Sequence, residues 1–421
     1  MKILMVHPHD PYCHPWMIRP LKFAEHLIRS GHQVTLAHLP DPDYRKKTGL
    51  IHKNMPEGLE LIELDWPRRS FLKNAKTLIN AGQDADILHI QKCTSNTVLP
   101  ALLAVQKLGI PLHYDWDDWE CAIARDMGVS GTDLLDIQYY EQLLPLACDT
   151  LSGASQTLRD LSAERGMPED RIVPAPVGAD LKFFHPSTSG QEIRDRYKIK
   201  GPIVIYAGQL EGANYVDLLL DAVPEIKRAH PTVTFFVLGG GKTLPGLIKK
   251  ANNDGLNSVI FTDYVPHTQV PLYLAAADIA IACFDDTSVT RCKSPLKIAE
   301  YLAAGKAIVA SKVGEVIPMV EGCGALMEPG NPLDLATQVN HLLNHPELRQ
   351  AYSKSARQRA ESIYNWSWTV DQLETAYQKA LNEPRFTPDS RRGIVNQLLG
   401  FSLGLMGVNF CLKRLGLRRR F

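Results

Sequence analysis

Short apolar runs separated by helical stretches and by turns rich in glycine, proline and aspartate recur along most of the chain. Residues 4–6 close an apolar strand that runs into His7-Pro8-His9-Asp10-Pro11, which neither helix nor strand continues through easily. From 17 to 28 the apolar positions fall at helical spacing, Gly31 supplies a stop, and 33–36 is β-rich. Strand, loop, helix, strand opens a parallel α/β unit. Residues 59–64, 87–90 and 111–114 predict further strands, with a helix over 98–107.

The segment 186–190 is a turn-rich break, and Gly201 opens a second series. Residues 203–206, 233–238, 259–261, 279–283 and 307–310 are apolar on both faces, as strands of a helix-covered parallel sheet are. The expected class is therefore α/β with two parallel-sheet domains, 1–190 and 191–365. Such sheets bind ligands outside the C-terminal ends of their strands. The loops after Val6, Ile90, Tyr114, Tyr206, Leu238 and Cys283 are then on the functional side, and two facing domains would enclose a cleft.

A chain of 421 residues exceeds a single core, and 45% hydrophobic residues suit a globular protein. Lys plus Arg and Asp plus Glu are both 46, so bulk charge favours no polyanion. No basic track with interleaved aromatics is present, which puts nucleic-acid binding low. Eight scattered cysteines without a CxxC pair fit small buried hydrophobes in a reducing compartment. The first residues lack the hydrophobic segment of a secretory signal, and the bulk of the protein is expected in the cytoplasm.

The strongest local element runs from Ser294 through Lys306 into the strand at 307–310. Ser294 is the expected N-cap, Pro295 the first helical residue, and Leu296 brings open amides toward a phosphate after Cys283. Arg291, Lys293 and Lys297 would surround that helix start, and Glu300 would lie a turn further on, able to accept from ribose hydroxyls. An ordinary capped surface helix is the competing reading. Gly239 to Gly241 and Gly208 follow strands, but neither a GxGxxG nor a Walker A sequence is present.

Asp115, Asp117 and Asp118 follow a strand, near Trp116, Trp119 and Glu120. They could hold a divalent ion, supply a general base, or cap the next helix. His7, His9, His14, Asp10 and Cys13 match no zinc spacing, so a polar substrate loop is preferred and no metal is assigned.

Three landmarks now carry a resemblance. Residues 177–186 (VGADLKFFHP) look like the "NGVDxxxFxP" stretch of the family-4 glycosyltransferases; 296–311 is similar to their "LxxxEAMAxGxPVVAS" stretch; Trp366 looks like their aromatic near the final crossover. Over roughly 1–380 the chain resembles this family, which implies the GT-B fold of two facing Rossmann-like domains and a crossover helix, 366–383, returning to the first.

The resemblance implies a retaining transferase using a nucleoside-diphosphate sugar as donor substrate, with no cofactor and no obligatory metal. The donor candidates are Gly208, Gln209, Arg291, Lys293, Ser294, Pro295, Leu296, Lys297 and Glu300. The acceptor, a saccharide or lipid-linked glycan, would sit in the first domain near His9, His14, Arg19, His89 and Gln91. Asp117 aligns with the family's active-site histidine, with Asp118 and Asp115 as alternatives. Gln209 and Asn214 stand where the family has Arg and Lys, and Cys292 stands at the first glutamate of the E-x7-E motif. Arg291, Lys293 and Lys297 are expected to compensate. A sugar-nucleotide epimerase or hydrolase, and a noncatalytic sugar-nucleotide-binding protein, are the competing functions.

The tail, 384–421, contains 19 uncharged positions from 394 to 412, flanked by Arg391-Arg392 and Lys413-Arg414 and followed by Arg418 to Arg420. An interfacial or re-entrant anchor at the inner face of the cell membrane is preferred over a single span or a tail covering protein. Trp66 to Lys73 offers a second docking patch.

Overall fold

The computed structural model describes residues 1–49, 55–210 and 216–414. Asn214 and Arg418 to Arg420 therefore lie outside the described residues. The backbone forms two compact units, one of Met1–Ala175 with Val370–Phe421, the other of Pro176–Thr369.

The first unit holds β1 (Lys2–His7), β2 (Gln33–His38), β3 (Glu60–Glu63), β4 (Ile87–Gln91), β5 (Leu112–Trp116), β6 (Thr150–Gly153) and β7 (Ile172–Pro174). They form one parallel sheet in the order β3-β2-β1-β4-β5-β6-β7. The second unit holds β8 (Ile203–Ala207), β9 (Thr234–Leu238), β10 (Val259–Asp263), β11 (Ile279–Ala282), β12 (Ala307–Ser311) and β13 (Gly324–Met327), ordered β10-β9-β8-β11-β12-β13 and again parallel. Every residue of β4, β5, β8, β11 and β12 is buried, as strands covered by helices on both faces require. These are two Rossmann-like domains of the GT-B type.

Strand order reverses between β1 and β4 in one sheet, and between β8 and β11 in the other. At such a reversal the connections leave in opposite directions and open a crevice at the C-terminal ends. His7 and Lys92 stand at the first reversal, Gly208 and Cys283 at the second.

The chain passes between units at Pro176. The carbonyl of Ala175 accepts from Arg19 Nη2 at 2.8 Å in the first unit, whereas the Val177 amide donates to Ser294 Oγ at 3.1 Å in the second. The break expected at 190 lies inside the second unit. There Phe184 is buried, and Arg357 Nη1 donates to the carbonyls of Leu181, Phe184 and Ala303 at 3.2, 2.9 and 2.8 Å. A polar turn on the surface had the composition of a linker without separating two cores.

Gly178 lies against the chain at 365–366, where a Cβ would fall 2.3 Å from the Asn365 carbonyl carbon. The Ala179 amide donates to Tyr364 O at 2.9 Å beside it. The helix Trp366–Asn382 then carries the chain back into the first unit, where Tyr377 Oη lies 2.6 Å from His89 Nδ1.

The last described helix, Pro388–Arg414, turns Arg391, Val395, Leu398 and Ser402 inward, a spacing of three and four that makes one face. Arg391 pairs with buried Asp149, which also accepts the amides of Leu112 and Arg385, and Ser402 Oγ lies 2.5 Å from Tyr140 Oη. Among the described residues, no helix is long and apolar enough to cross a membrane.

Candidate functional site

In the second unit, β8 delivers Gly208 to the sheet's C-terminal edge with φ 139°. A Cβ at Gly208 would lie 2.9 Å from Lys297 Cε and 3.0 Å from its Nζ, so strand end and lysine are in direct contact. Lys297 Nζ donates to Tyr206 Oη at 2.6 Å and lies 4.0 Å from that ring's centroid. Tyr206 Oη donates onward to Gln209 O at 2.6 Å. Burial pushes Lys297 down to about 7, with Lys293 adding to the effect and Glu300 opposing it. Part of the side chain still reaches the surface.

The helix carrying Lys297 is Leu296–Ala303. Pro295, with ψ 115°, is its N-cap and supplies no side-chain hydrogen bond. The expected cap, Ser294, instead accepts from Val177. The Ser-Pro pair looks like a cap and first residue, but extended backbone at Pro295 starts the helix one residue later. Arg291 is exposed, and its Nε and Nη2 donate to Asp286 at 2.6 and 2.8 Å. The three expected cations are thus unequal, with Lys297 alone placed against the glycine.

Glu300 is one turn further along, its carboxylate 3.2 Å from His267 Nε2, and the His267 ring stacks on Phe183. Gln209 is exposed and Lys293 half-buried. Cys292 is fully buried, so the position that the resemblance aligns with a glutamate holds a cysteine inside the core. A Cβ at Gly239 would meet Gly208 O at 1.9 Å, which explains the glycine after β9 by close strand ends.

In the first unit, Lys92 follows β4 with φ 69°, a left-handed conformation uncommon for a non-glycine residue. Its ammonium lies 2.9 Å from Asp117 Oδ1, 2.9 Å from Asp118 Oδ2 and 2.7 Å from Glu120 Oε1. Those acids offer oxygens within 4.8 Å of one another, a spacing that would suit a metal ion, and Lys92 brings its own cation among them. Gln91 Nε2 donates to Asp117 Oδ2 at 3.2 Å. Burial raises Asp117 to about 6 against the pull of Lys92.

Asp115 is differently placed. It is fully buried, receives Arg19 through two bonds of 2.8 and 2.7 Å, and accepts from Ser152 Oγ at 2.5 Å. Both Asp115 and Arg19 are engaged inside the unit. His89, also fully buried, is held at Tyr377. His9 and His14 form an aromatic group with Trp16 and Tyr44, His14 stacking on Tyr44 at 4.4 Å. Burial lowers His9 to about 3, so its imidazole is neutral. Glu141 completes the neighbourhood, accepting the amides of Glu120 and Cys121 at 2.7 and 3.1 Å.

Sequence reasoning missed Lys92, Tyr206, His267 and Glu141 as parts of these groups. A lysine after a strand has no periodic signature; the Cys-Thr-Ser turn that follows it was the only local signal.

Two family models match the chain, "Glycosyl transferase 4-like domain" over residues 19–178 and "Glycosyl transferases group 1" over 201–345. The chain belongs to the 4-like, group 1 glycosyltransferases. The two matches to this family contain Lys92, Asp117, Gly208, Lys297 and Glu300. Among curated relatives, Spore coat protein SA of Bacillus subtilis is 28% identical over 221 residues, covering 48% of this chain and 57% of that one. A GDP-mannose-dependent α-(1-6)-phosphatidylinositol monomannoside mannosyltransferase of Mycolicibacterium smegmatis is 27% identical over 227 residues, covering 52% and 59%. The matches thus span little more than half the length of these relatives. A glycosyltransferase structure from Rickettsia africae is similar with TM-score 0.72 at 16% identity, over 91% of this chain and 99% of that one. The Anabaena protein Alr3699/HepE in complex with UDP and glucose gives 0.68 at 17%, over 90% and 99%. These structural likenesses establish the fold.

Proposed function

We propose that the chain is a retaining glycosyltransferase that takes a nucleoside-diphosphate sugar on its second unit. The acceptor, a saccharide or lipid-linked glycan for surface polysaccharide or glycoconjugate synthesis, is held by the first. The observation that carries this reading is the contact of Lys297 with Gly208 at the strand-order reversal of the second sheet. A glycine there lets a ligand approach the backbone, and the lysine supplies positive charge at the same place. The start of the helix Leu296–Ala303, where Pro295 supplies no side-chain cap, adds backbone donors for phosphate oxygens. Glu300 takes the ribose hydroxyls. Lys297 and Lys293 replace the cations missing at Gln209 and Asn214.

In front-face transfer the bond from the anomeric carbon to the diphosphate breaks, its electron pair remaining with the phosphate. The acceptor oxygen bonds to the same face, and its proton passes to a diphosphate oxygen. The protein aligns the two sugars and stabilises the leaving charge. Asp117 orients the acceptor hydroxyl. A transition-metal or redox cofactor has no part in this scheme.

We also propose peripheral attachment to the inner face of the cell membrane. Leu403 and Val408 are exposed on the last helix, and Trp66 and Leu72 are exposed beside the basic Arg69 and Lys73. Failure of the full chain to float with anionic vesicles would remove this part.

A thermal-shift screen of nucleoside diphosphates and their sugars, followed by product analysis with polyprenyl-linked glycans, tests the main reading. A preferred diphosphate sugar and a glycosylated product support it. Donor conversion without acceptor would favour an epimerase or hydrolase; donor binding without turnover would favour a binding protein.

A further inference from the structure

One lysine faces three carboxylates in the first unit. Lys92 is 6% exposed, and its ammonium lies within 3 Å of Asp117, Asp118 and Glu120 together. The left-handed backbone at Lys92 directs this side chain from the end of β4 toward the residues that follow β5. With all groups ionised, three negative charges meet one positive charge, so excess negative charge remains for the surroundings to accommodate. Arg19, the other nearby cation, is bonded in two places to Asp115. His7 and His9 also feel Lys92, and burial disfavours their charged forms. Lys92 is therefore a cation in direct contact with this acidic group.

We propose that Lys92 is a positioning residue of the transfer site: its ammonium, shared among Asp117, Asp118 and Glu120, fixes the direction of the Asp117 carboxylate and is electrostatically coupled to it. The proposal deepens the glycosyltransferase reading, because Asp117 is the group that reading assigns to the acceptor hydroxyl. Burial and the neighbouring Asp118 hold the Asp117 proton on, and Lys92 drives it off. The balance leaves Asp117 titrating at about 6, where modest changes in its surroundings alter its charge near neutral pH.

The test uses the full chain labelled with carbon-13 at the aspartate carboxyls, the Asp117 resonance being the one lost in Asp117→Asn. The wild-type midpoint is expected near 6. In Lys92→Met it should rise by about one pH unit or more, and in Lys92→Arg, which keeps the charge, it should return toward wild type. An unchanged midpoint in a folded Lys92→Met variant overturns the proposal. If Lys92→Met does not fold, nitrogen-15 lysine spectra of the wild type decide. A protected ammonium resonance should shift with the Asp117 midpoint, and the absence of any ammonium responding to that titration overturns the proposal. Neither readout requires substrate. Failure to find any transferase reaction would reject the functional reading while leaving the Lys92–Asp117 coupling measurable.

Discussion

Lys297 stands over the ring of Tyr206, its Nζ 4.0 Å from the ring centroid and 2.6 Å from the phenolic oxygen. That contact holds a lysine with a pKa of about 7 against the end of β8. An anion arriving there favours the ammonium over the amine, so binding and protonation are linked.

The first prediction follows from that linkage. A nucleoside diphosphate should raise the Lys297 pKa, causing proton uptake on binding at pH 8 and weakening affinity as pH rises from about 7 to 9. Calorimetry in buffers of different ionisation enthalpy measures the uptake, which should disappear in Lys297→Met. The stability of the free protein moves oppositely. The unfolded lysine retains its proton up to about 10.5, whereas the folded one has lost it above about 7, so this group makes folding more favourable as pH rises through that window.

Asp117→Asn should preserve nucleoside-diphosphate binding while reducing sugar transfer by roughly a hundred-fold, the scale of misaligning a reacting group. Thermal shift with the diphosphate and a transfer assay separate the two effects. Near-normal transfer would remove Asp117 from the mechanism.

Gly178→Ala should destabilise the second unit, because its Cβ would meet backbone at 2.3 Å rather than a yielding side chain. Arg391→Met should cost about 3 kcal/mol by leaving Asp149 buried without its cation. Urea unfolding measures both. In Arg391→Met, earlier protease cleavage within residues 388–414 would show that the last helix loosens.

The central strands were legible because β8, β11 and β12 are largely apolar runs buried on both faces, and such runs leave little choice of structure. Strands β6, Thr-Leu-Ser-Gly, and β7, Ile-Val-Pro, were not, since their short and mixed sequences become strands only through pairing with neighbours. Gly208, Lys297 and Glu300, named from sequence as donor candidates, fall at the end of β8 and on the helix beside it, whereas Ser294 is not the cap its sequence position suggests. Local motifs disclosed the helix. They did not disclose which side chains the tertiary structure had already engaged, nor that Lys92 would reach residues following a different strand.

The partners of Arg291 also make a discriminating expectation. With two guanidinium bonds directed to Asp286 at the surface, Arg291→Met should change nucleoside-diphosphate affinity by less than about three-fold, as expected for an exposed pair. A loss as large as that of Lys297→Met would restore Arg291 to the donor site.

The most direct measurement is titration of UDP, GDP, ADP, CDP and dTDP into the full-length wild type and Lys297→Met at pH 7. At least one diphosphate should bind the wild type, and Lys297→Met should weaken it by about ten-fold or more, equivalent to losing about 1.4 kcal/mol. No binding by any of them, or equal affinity for both proteins, would contradict a donor site built around Lys297.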